Sequence, residues 1–304
     1  MRKAPFLLLI LAVVAAVAGC AHKPDPAPIG PAPWIAWRSN RLVSVAGTNG
    51  WTTLAGLHWL REGPNTIGTA DASPIALPPG SAPPVAGVVT RTGMLARFKA
   101  ARGVVATVDG AEVSEAALRS DAGNAKPSVL RIDDLSITVI QRGERLGLRV
   151  RDPKAPTRLN FRGLDYYDHD PRWRIEGRFE ASAPGRTLAI DDVTGAVNQE
   201  RSPGTIVFTL GGQEHRLEAL SDEETHDLFI LFRDATAGET TYGAGRFLHV
   251  ALPGADGRVV IDFNHACNPP CAFTGFATCP VPPRQNWLPF PIEAGELKYR
   301  GDHP

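Results

Sequence analysis

The sequence predicts a mainly β protein: an antiparallel sandwich followed by a second β-sandwich or small barrel, with few short helices. Three observations predict it. Short runs of Val, Ile, Leu, Thr and Phe recur at roughly ten-residue spacing, punctuated by Gly, Pro and Asp, with no βα alternation. Between positions 172 and 180, Trp173, Ile175, Gly177 and Phe179 alternate with Arg172, Arg174, Glu176, Arg178 and Glu180, the period of a strand with one buried face. Gly211-Gly212 separates two further runs, as a tight hairpin requires.

Taken in order, Ile35 to Val45 is expected to form a short helix and Gly47 to Gly50 a turn. Strands are then expected at 54–60, 65–68, 75–77, 85–90, 94–100, 104–108, 129–132, 136–142 and 146–151. In the second half they are expected at 173–180, 187–190, 205–210, 215–219, 228–233, 245–252 and 258–263. The charged side of the 173–180 strand reads as a solvated ladder of opposite charges. The runs Glu62-Gly63-Pro64-Asn65-Thr66-Ile67-Gly68, Ile75-Ala76-Leu77-Pro78 and Val108-Asp109-Gly110 resemble a forkhead-associated sandwich. That family reads phosphothreonine with an arginine after its first glycine and a downstream serine and histidine. Here Thr69 follows Gly68 and no matching Ser/His pair is present, so phosphopeptide binding does not follow.

The amino terminus carries the address. Arg2 and Lys3 precede an apolar run from Phe6 to Val17 that closes on Val17-Ala18-Gly19-Cys20. This resembles the lipobox of bacterial lipoproteins, in which Cys20 takes a diacylglyceryl group, cleavage falls before it and the new amine is often acylated. Residues 1–19 are thus expected to be a signal peptide and 20–33 a lipid-anchored, proline-rich tether, with an N-terminal sandwich over 34–158 and a β-rich domain over 159–304. The membrane is then reached through lipid, in the bacterial cell envelope. With Ala21 after the cysteine, the pattern resembles sorting to the outer membrane, facing the periplasm. The chain has 32 basic and 32 acidic residues. Loss of Arg2 and Lys3 leaves it near −2, without the field that nucleic acid binding needs.

Chemistry concentrates near the carboxyl end. Asp262-Phe263-Asn264-His265-Ala266-Cys267-Asn268-Pro269-Pro270-Cys271-Ala272 is followed by Cys279-Pro280-Val281-Pro282-Pro283-Arg284-Gln285-Asn286. With Phe232-Arg233-Asp234-Ala235-Thr236, Tyr242-Gly243-Ala244-Gly245-Arg246 and Leu57-His58-Trp59-Leu60, these motifs resemble the bacterial domain of unknown function 1684, from about Trp51 to Glu296. The resemblance implies no established reaction. Cys271 and Cys279 fall on its motif and are the expected disulfide in an oxidising compartment, with Cys267 left over. Reduced thiols are one alternative. A zinc centre of His265, Cys267, Cys271 and Cys279 is another, although no cofactor is predicted outright and the spacing fits no standard finger.

Tyr242, Arg246, Asp262, Asn264, Asn268 and Asn286 lie on loops that, if they met, would make a polar pocket: arginine for an anion, asparagines for amides, tyrosine as wall or proton donor. The alternative is structural, with the amides capping loop backbone and Arg246 paired to an acid such as Asp234. Tyr166-Tyr167-Asp168-His169-Asp170 reads as either an exposed turn or a second polar site. Gly-x-Ser-x-Gly, His-Glu-x-x-His and phosphate-cradling glycine loops are all missing. The functional expectation is therefore a binding or structural accessory for an envelope ligand or partner. The alternative is an envelope hydrolase built around Asp262, Asn264, Tyr242 and Arg246.

Overall fold

The computed structural model describes residues 31–124, 126–222 and 225–301. The expected signal peptide, Cys20 and the expected tether up to residue 30 lie outside the described residues. The chain is mainly β and antiparallel. No described helix is long and apolar enough to cross a membrane.

The first helix, α1 (Ala32–Ala46), begins earlier than its apolar pattern suggests, because Pro33 sits in the first turn, where the missing N–H costs nothing. Eleven strands follow: β1 (Leu54–Trp59), β2 (Gly63–Gly68), β3 (Ile75–Ala76), β4 (Gly87–Thr92), β5 (Leu95–Ala100), β6 (Ala106–Val108), β7 (Ala111–Glu112), β8 (Glu115–Leu118), β9 (Val129–Ile132), β10 (Leu135–Arg142) and β11 (Arg145–Arg151). They form two sheets, ordered β1-β11-β10-β9-β6-β7 and β3-β2-β4-β5-β8. One apolar cluster fills the space between them, with Ile67, Val89 and Phe98 from one sheet facing Leu130, Ile137 and Leu148 from the other. This is the expected sandwich.

A short helix, α2 (Pro156–Leu159), leads into the second half. There lie β12 (Arg174–Ala181), β13 (Thr187–Asp191), β14 (Val197–Arg201), β15 (Gly204–Leu210), β16 (Gln213–Ser221), β17 (Leu228–Phe232), β18 (Arg246–Val250) and β19 (Arg258–Asp262). Six of them make a sheet ordered β18-β17-β16-β15-β12-β19, while β13 and β14 form a separate ribbon. The edge strands β18 and β19 approach each other, so the sheet curls into an incomplete barrel around Ile206, Leu217, Ile230, Leu248, Ile261 and Phe263. The β15–β16 hairpin turns on Gly211 and Gly212, whose φ of 59° and 77° are the two positive values its turn needs. The charged face of β12 is the expected ladder, with Arg178 and Arg216 bridging Glu180 and Glu214 across strands.

Helix α1 precedes the sandwich in sequence but docks on the second half. Trp34 Nε1 donates to the Asn264 carbonyl at 3.1 Å, and Val45 packs with Ala272 and Phe273. A second seam joins the halves farther on. Arg142 Nε and Arg149 Nη2 both donate to Thr278 Oγ1, at 3.0 and 3.2 Å, and Arg145 donates to Thr194.

Candidate functional site

The six polar residues singled out in the sequence do not gather around one opening. Arg246 has no exposed surface; it pairs with Asp234 at 3.1 Å and donates to the carbonyls of Ile292 and Ala294. The expected Arg246–Asp234 pair is therefore what forms. Burial pulls the Arg246 pKa down, and Asp234 only partly offsets that. Asn286 accepts from the Glu218 N–H at 2.7 Å and donates to the carbonyls of Glu218 and Leu231, tying the loop to β16 and β17. Asp262 caps a 3₁₀ turn (Phe263–His265) by accepting from Asn264 N. Asn264 in turn donates to Asp262 and to the Asp170 carbonyl, and accepts from the Asp170 N–H. Tyr242 donates to the Cys271 carbonyl, and Asn268 donates to the Leu297 carbonyl. Each is occupied holding backbone, as buried amides and acids in loops must be.

The cysteines also differ from expectation. All three are buried free thiols, so the expected Cys271–Cys279 disulfide is not formed. The two side chains are neighbours but share hydrogen bonds rather than a covalent bond: the Cys271 N–H donates to Cys279 Sγ at 3.1 Å. Cys267 lies elsewhere, near Arg41, Glu296 and Arg246, where burial pushes its thiol up to about 11. His265 packs edge-on against Trp37 and faces Asp262. The zinc alternative therefore has no common centre. Among the described residues, no three His, Cys, Asp or Glu side chains are placed to hold one ion.

A concave feature lies between α1 and the segment that follows α2. A cleft of about 900 Å³ is lined by Ile35, Arg38, Leu42, Phe161, Arg162, Leu164, Asp165, Tyr166 and Arg300, with Ser39 and Gly163 completing it. The far wall is set by a small antiparallel contact. Tyr166 bridges Glu296, the Tyr167 N–H donates to the Gly295 carbonyl and the Leu297 N–H to the Asp165 carbonyl. Gly295 has φ +78°, and a Cβ there would collide with the Ala266 carbonyl oxygen, so only glycine permits this approach.

Charge in the cleft is unbalanced. Among the described residues Asp165 is its single acid and is taken by Arg300, at 2.7 and 2.8 Å. Arg38 pairs with no carboxylate among the described residues; its guanidinium lies 4.0 Å from the centre of the Tyr166 ring and 4.7 Å from that of Trp34. Stacking of this kind holds a guanidinium in place while leaving its edge free to donate. Arg162 is exposed and makes no side-chain ion pair among the described residues. Ile35, Leu42, Phe161 and Leu164 supply the apolar part of the wall.

Behind the cleft is a buried polar cluster. Glu296, with no exposed surface, accepts from Arg41 Nε and from the Asn268 N–H, both at 2.7 Å. Arg41 also donates to the Asn268 carbonyl at 2.6 Å. Burial works against the Arg41 charge, yet Cys267 and Glu296 outweigh it and raise its pKa. Tyr166 is pushed up by burial and by Glu296, and its hydroxyl has no hydrogen-bond partner among the described residues. The cleft floor is thus a neutral phenol backed by an ion pair that fixes α1.

None of the six expected pocket residues lines this cleft, and Arg38, Arg41, Phe161, Arg162 and Glu296 were not among the candidates. The available signal was the stripe Trp34, Trp37, Arg38, Arg41 along one face of a predicted helix. Tyr166 lay in the Tyr-Tyr-Asp-His-Asp segment, which proves divided: Tyr166 faces the cleft, while Asp170 caps a 3₁₀ turn (Pro171–Trp173) and pairs with Arg172.

Residues 159–297 match the family model described as protein of unknown function (DUF1684). The resemblance read from the 232–286 motifs is confirmed over that span, which starts later than Trp51. An uncharacterised protein of Haloarcula marismortui, solved by NMR in solution, is similar at 31% identity over 48% of this chain and 81% of that chain, with a TM-score of 0.40. Two forkhead-associated domain structures are similar at 22% identity over 31% of this chain, each with a TM-score of 0.23. One, covered to 92%, comes from a study of phosphothreonine-dependent interactions; the other, covered to 97%, is the FhaA domain in complex with an intracellular domain. Likeness at those scores carries no argument about ligands. No curated protein matches the chain.

Proposed function

We propose that this chain is a lipid-anchored envelope protein that binds a small anionic molecule with an apolar portion in the cleft between α1 and residues 161–166. The observation that carries the reading is the cleft's uncompensated charge. Arg38 and Arg162 face it without carboxylate partners among the described residues, beside a wall of Ile35, Leu42, Phe161 and Leu164. Guanidinium edges suit phosphate or carboxylate oxygens, and the apolar wall suits a short hydrocarbon. The accessory role fits better than the hydrolase alternative, because Asp262, Asn264, Tyr242 and Arg246 are each spent on holding structure.

Lipidation at Cys20 would keep the cleft near a membrane. Eleven residues lie between Cys20 and the start of α1 at Ala32, a span of at most roughly 40 Å. A Cys20→Ala chain should shift from the membrane to the soluble fraction of the envelope; unchanged membrane association would refute the anchor.

Binding is tested by calorimetry with hexyl phosphate on residues 21–304, which keep every described element. Burying three methylenes at about 0.8 kcal/mol each makes hexyl phosphate roughly 50-fold tighter than inorganic phosphate. Arg38→Gln with Arg162→Gln should abolish binding while leaving thermal stability close to that of the parent. Equal affinity of parent and double variant would exclude the cleft.

A further inference from the structure

We propose that Cys271 and Cys279 form a two-sulfur site for a soft monovalent metal ion, Cu(I), with Arg149 as its counter-charge. The site stands apart from the cleft and does not depend on it.

Three independent features meet there. The first is the sulfur pair itself. Cys271 follows Pro270 in a 3₁₀ turn (Pro270–Ala272), and Cys279 begins the proline-rich run, so both lie on backbone held by proline. Tyr242 steadies the same turn by donating to the Cys271 carbonyl at 3.2 Å. The side chains are buried with Ala277, Tyr242 and Phe247 around them, a largely apolar shell.

The second feature is a hydrogen bond of the kind that favours an anionic sulfur. The Cys271 N–H donates to Cys279 Sγ at 3.1 Å. An N–H aimed at sulfur stabilises the thiolate over the thiol.

The third feature is a cation that pairs with no acid among the described residues. Arg149, on β11, reaches across the seam between the halves to Thr278, the residue before Cys279, at 3.2 Å. Its Nε is buried and has no hydrogen-bond partner among the described residues. The nearby carboxylate of Asp121 is taken by Arg142 at 2.9 Å. Burial and the neighbouring Arg142 and Arg151 bring Arg149 down to about 10, and Asp121 and Cys279 are the groups that favour its charge. A buried guanidinium in this position wants a negative neighbour.

Cu(I) supplies the match. Two thiolates bind it in a linear arrangement, with no need for the four ligands of zinc, and thiolate sulfur selects it over harder ions. The reaction balances as one Cu(I) ion displacing two thiol protons, giving a bis-thiolate complex of net charge −1 beside Arg149. Cys267, near Arg41 and Glu296, takes no part.

The test uses reduced residues 21–304, which lack the Cys20 thiol, titrated anaerobically with Cu(I) in competition with bicinchoninate. The expected result is withdrawal of one equivalent of copper from the coloured bicinchoninate complex. Cys271→Ser and Cys279→Ser should each weaken binding by at least 100-fold, Arg149→Gln by roughly tenfold, and Cys267→Ser not at all. Far-ultraviolet circular dichroism of each variant confirms that it is folded before it is scored, and Arg149→Gln, which keeps both thiols, provides a readout independent of them. No copper withdrawn by the folded parent overturns the proposal. So does a Cys267→Ser loss equal to that of Cys271→Ser.

Discussion

Arg246 shows how a residue that looks made for binding becomes part of the scaffold. Its guanidinium is shut inside the second half, satisfied by Asp234 and two carbonyls, with Nε left without a partner among the described residues. Arg246→Met would strand the buried Asp234 carboxylate and should cost about 3–5 kcal/mol in urea denaturation. Adding Asp234→Asn should recover part of that loss, whereas additive losses would mean the two do not act as a pair. Asp262 carries a pH signature. Burial raises its pKa, but hydrogen bonds from His265 and Asn264 outweigh that and leave it below the ordinary carboxylate value. Its contribution to stability is therefore complete above the unfolded pKa and is lost as pH falls through the lower folded one. Asp262→Asn should narrow the stability difference between about pH 3 and pH 6, measured by urea midpoints. An unchanged difference would place the acid sensitivity elsewhere.

At the scale of elements, α1 matters most. Its sequence period marked a helix, but nothing local showed that the stripe Trp34, Trp37, Arg38, Arg41 would cross to the second half. That depends on Glu296, about 250 residues away in sequence, and on the Gly295 backbone that presents it. Arg41→Ala should cost about 3 kcal/mol by exposing the buried Glu296 to an unpaired state, and should raise amide exchange along α1 more than in β10. Equal acceleration everywhere would contradict a role specific to docking. The long strands were legible because apolar alternation and glycine turns agree, as at Gly211-Gly212. Three strands were not: β8, β14 and the two-residue β7. Glu115-Ala116-Ala117-Leu118 is made of helix formers and becomes β8 only by pairing with β5. Val197-Asn198-Gln199-Glu200-Arg201 has almost no apolar content, and β14 exists as the partner of β13. The candidate site was less legible still. Turn-loving Asn and Asp read alike whether they cap backbone or face a ligand, and only the tertiary contacts separate the two.

In the whole molecule, a sandwich and a curled six-stranded sheet are joined by two seams, α1 on one side and the Arg142–Arg149–Thr278 contact on another. Each seam carries one of the two proposed sites, so ligand or metal bound there would also tie the halves together. Either occupant should then raise the melting temperature, by mass action on the folded state. The cleft is the central claim, and amide chemical-shift mapping of residues 21–304 titrated with hexyl phosphate tests it most directly. The predicted result is saturable shifts concentrated at Ile35–Leu42 and Phe161–Tyr166, absent in the Arg38→Gln, Arg162→Gln variant. Shifts centred on other residues, or none at saturating ligand, would contradict it.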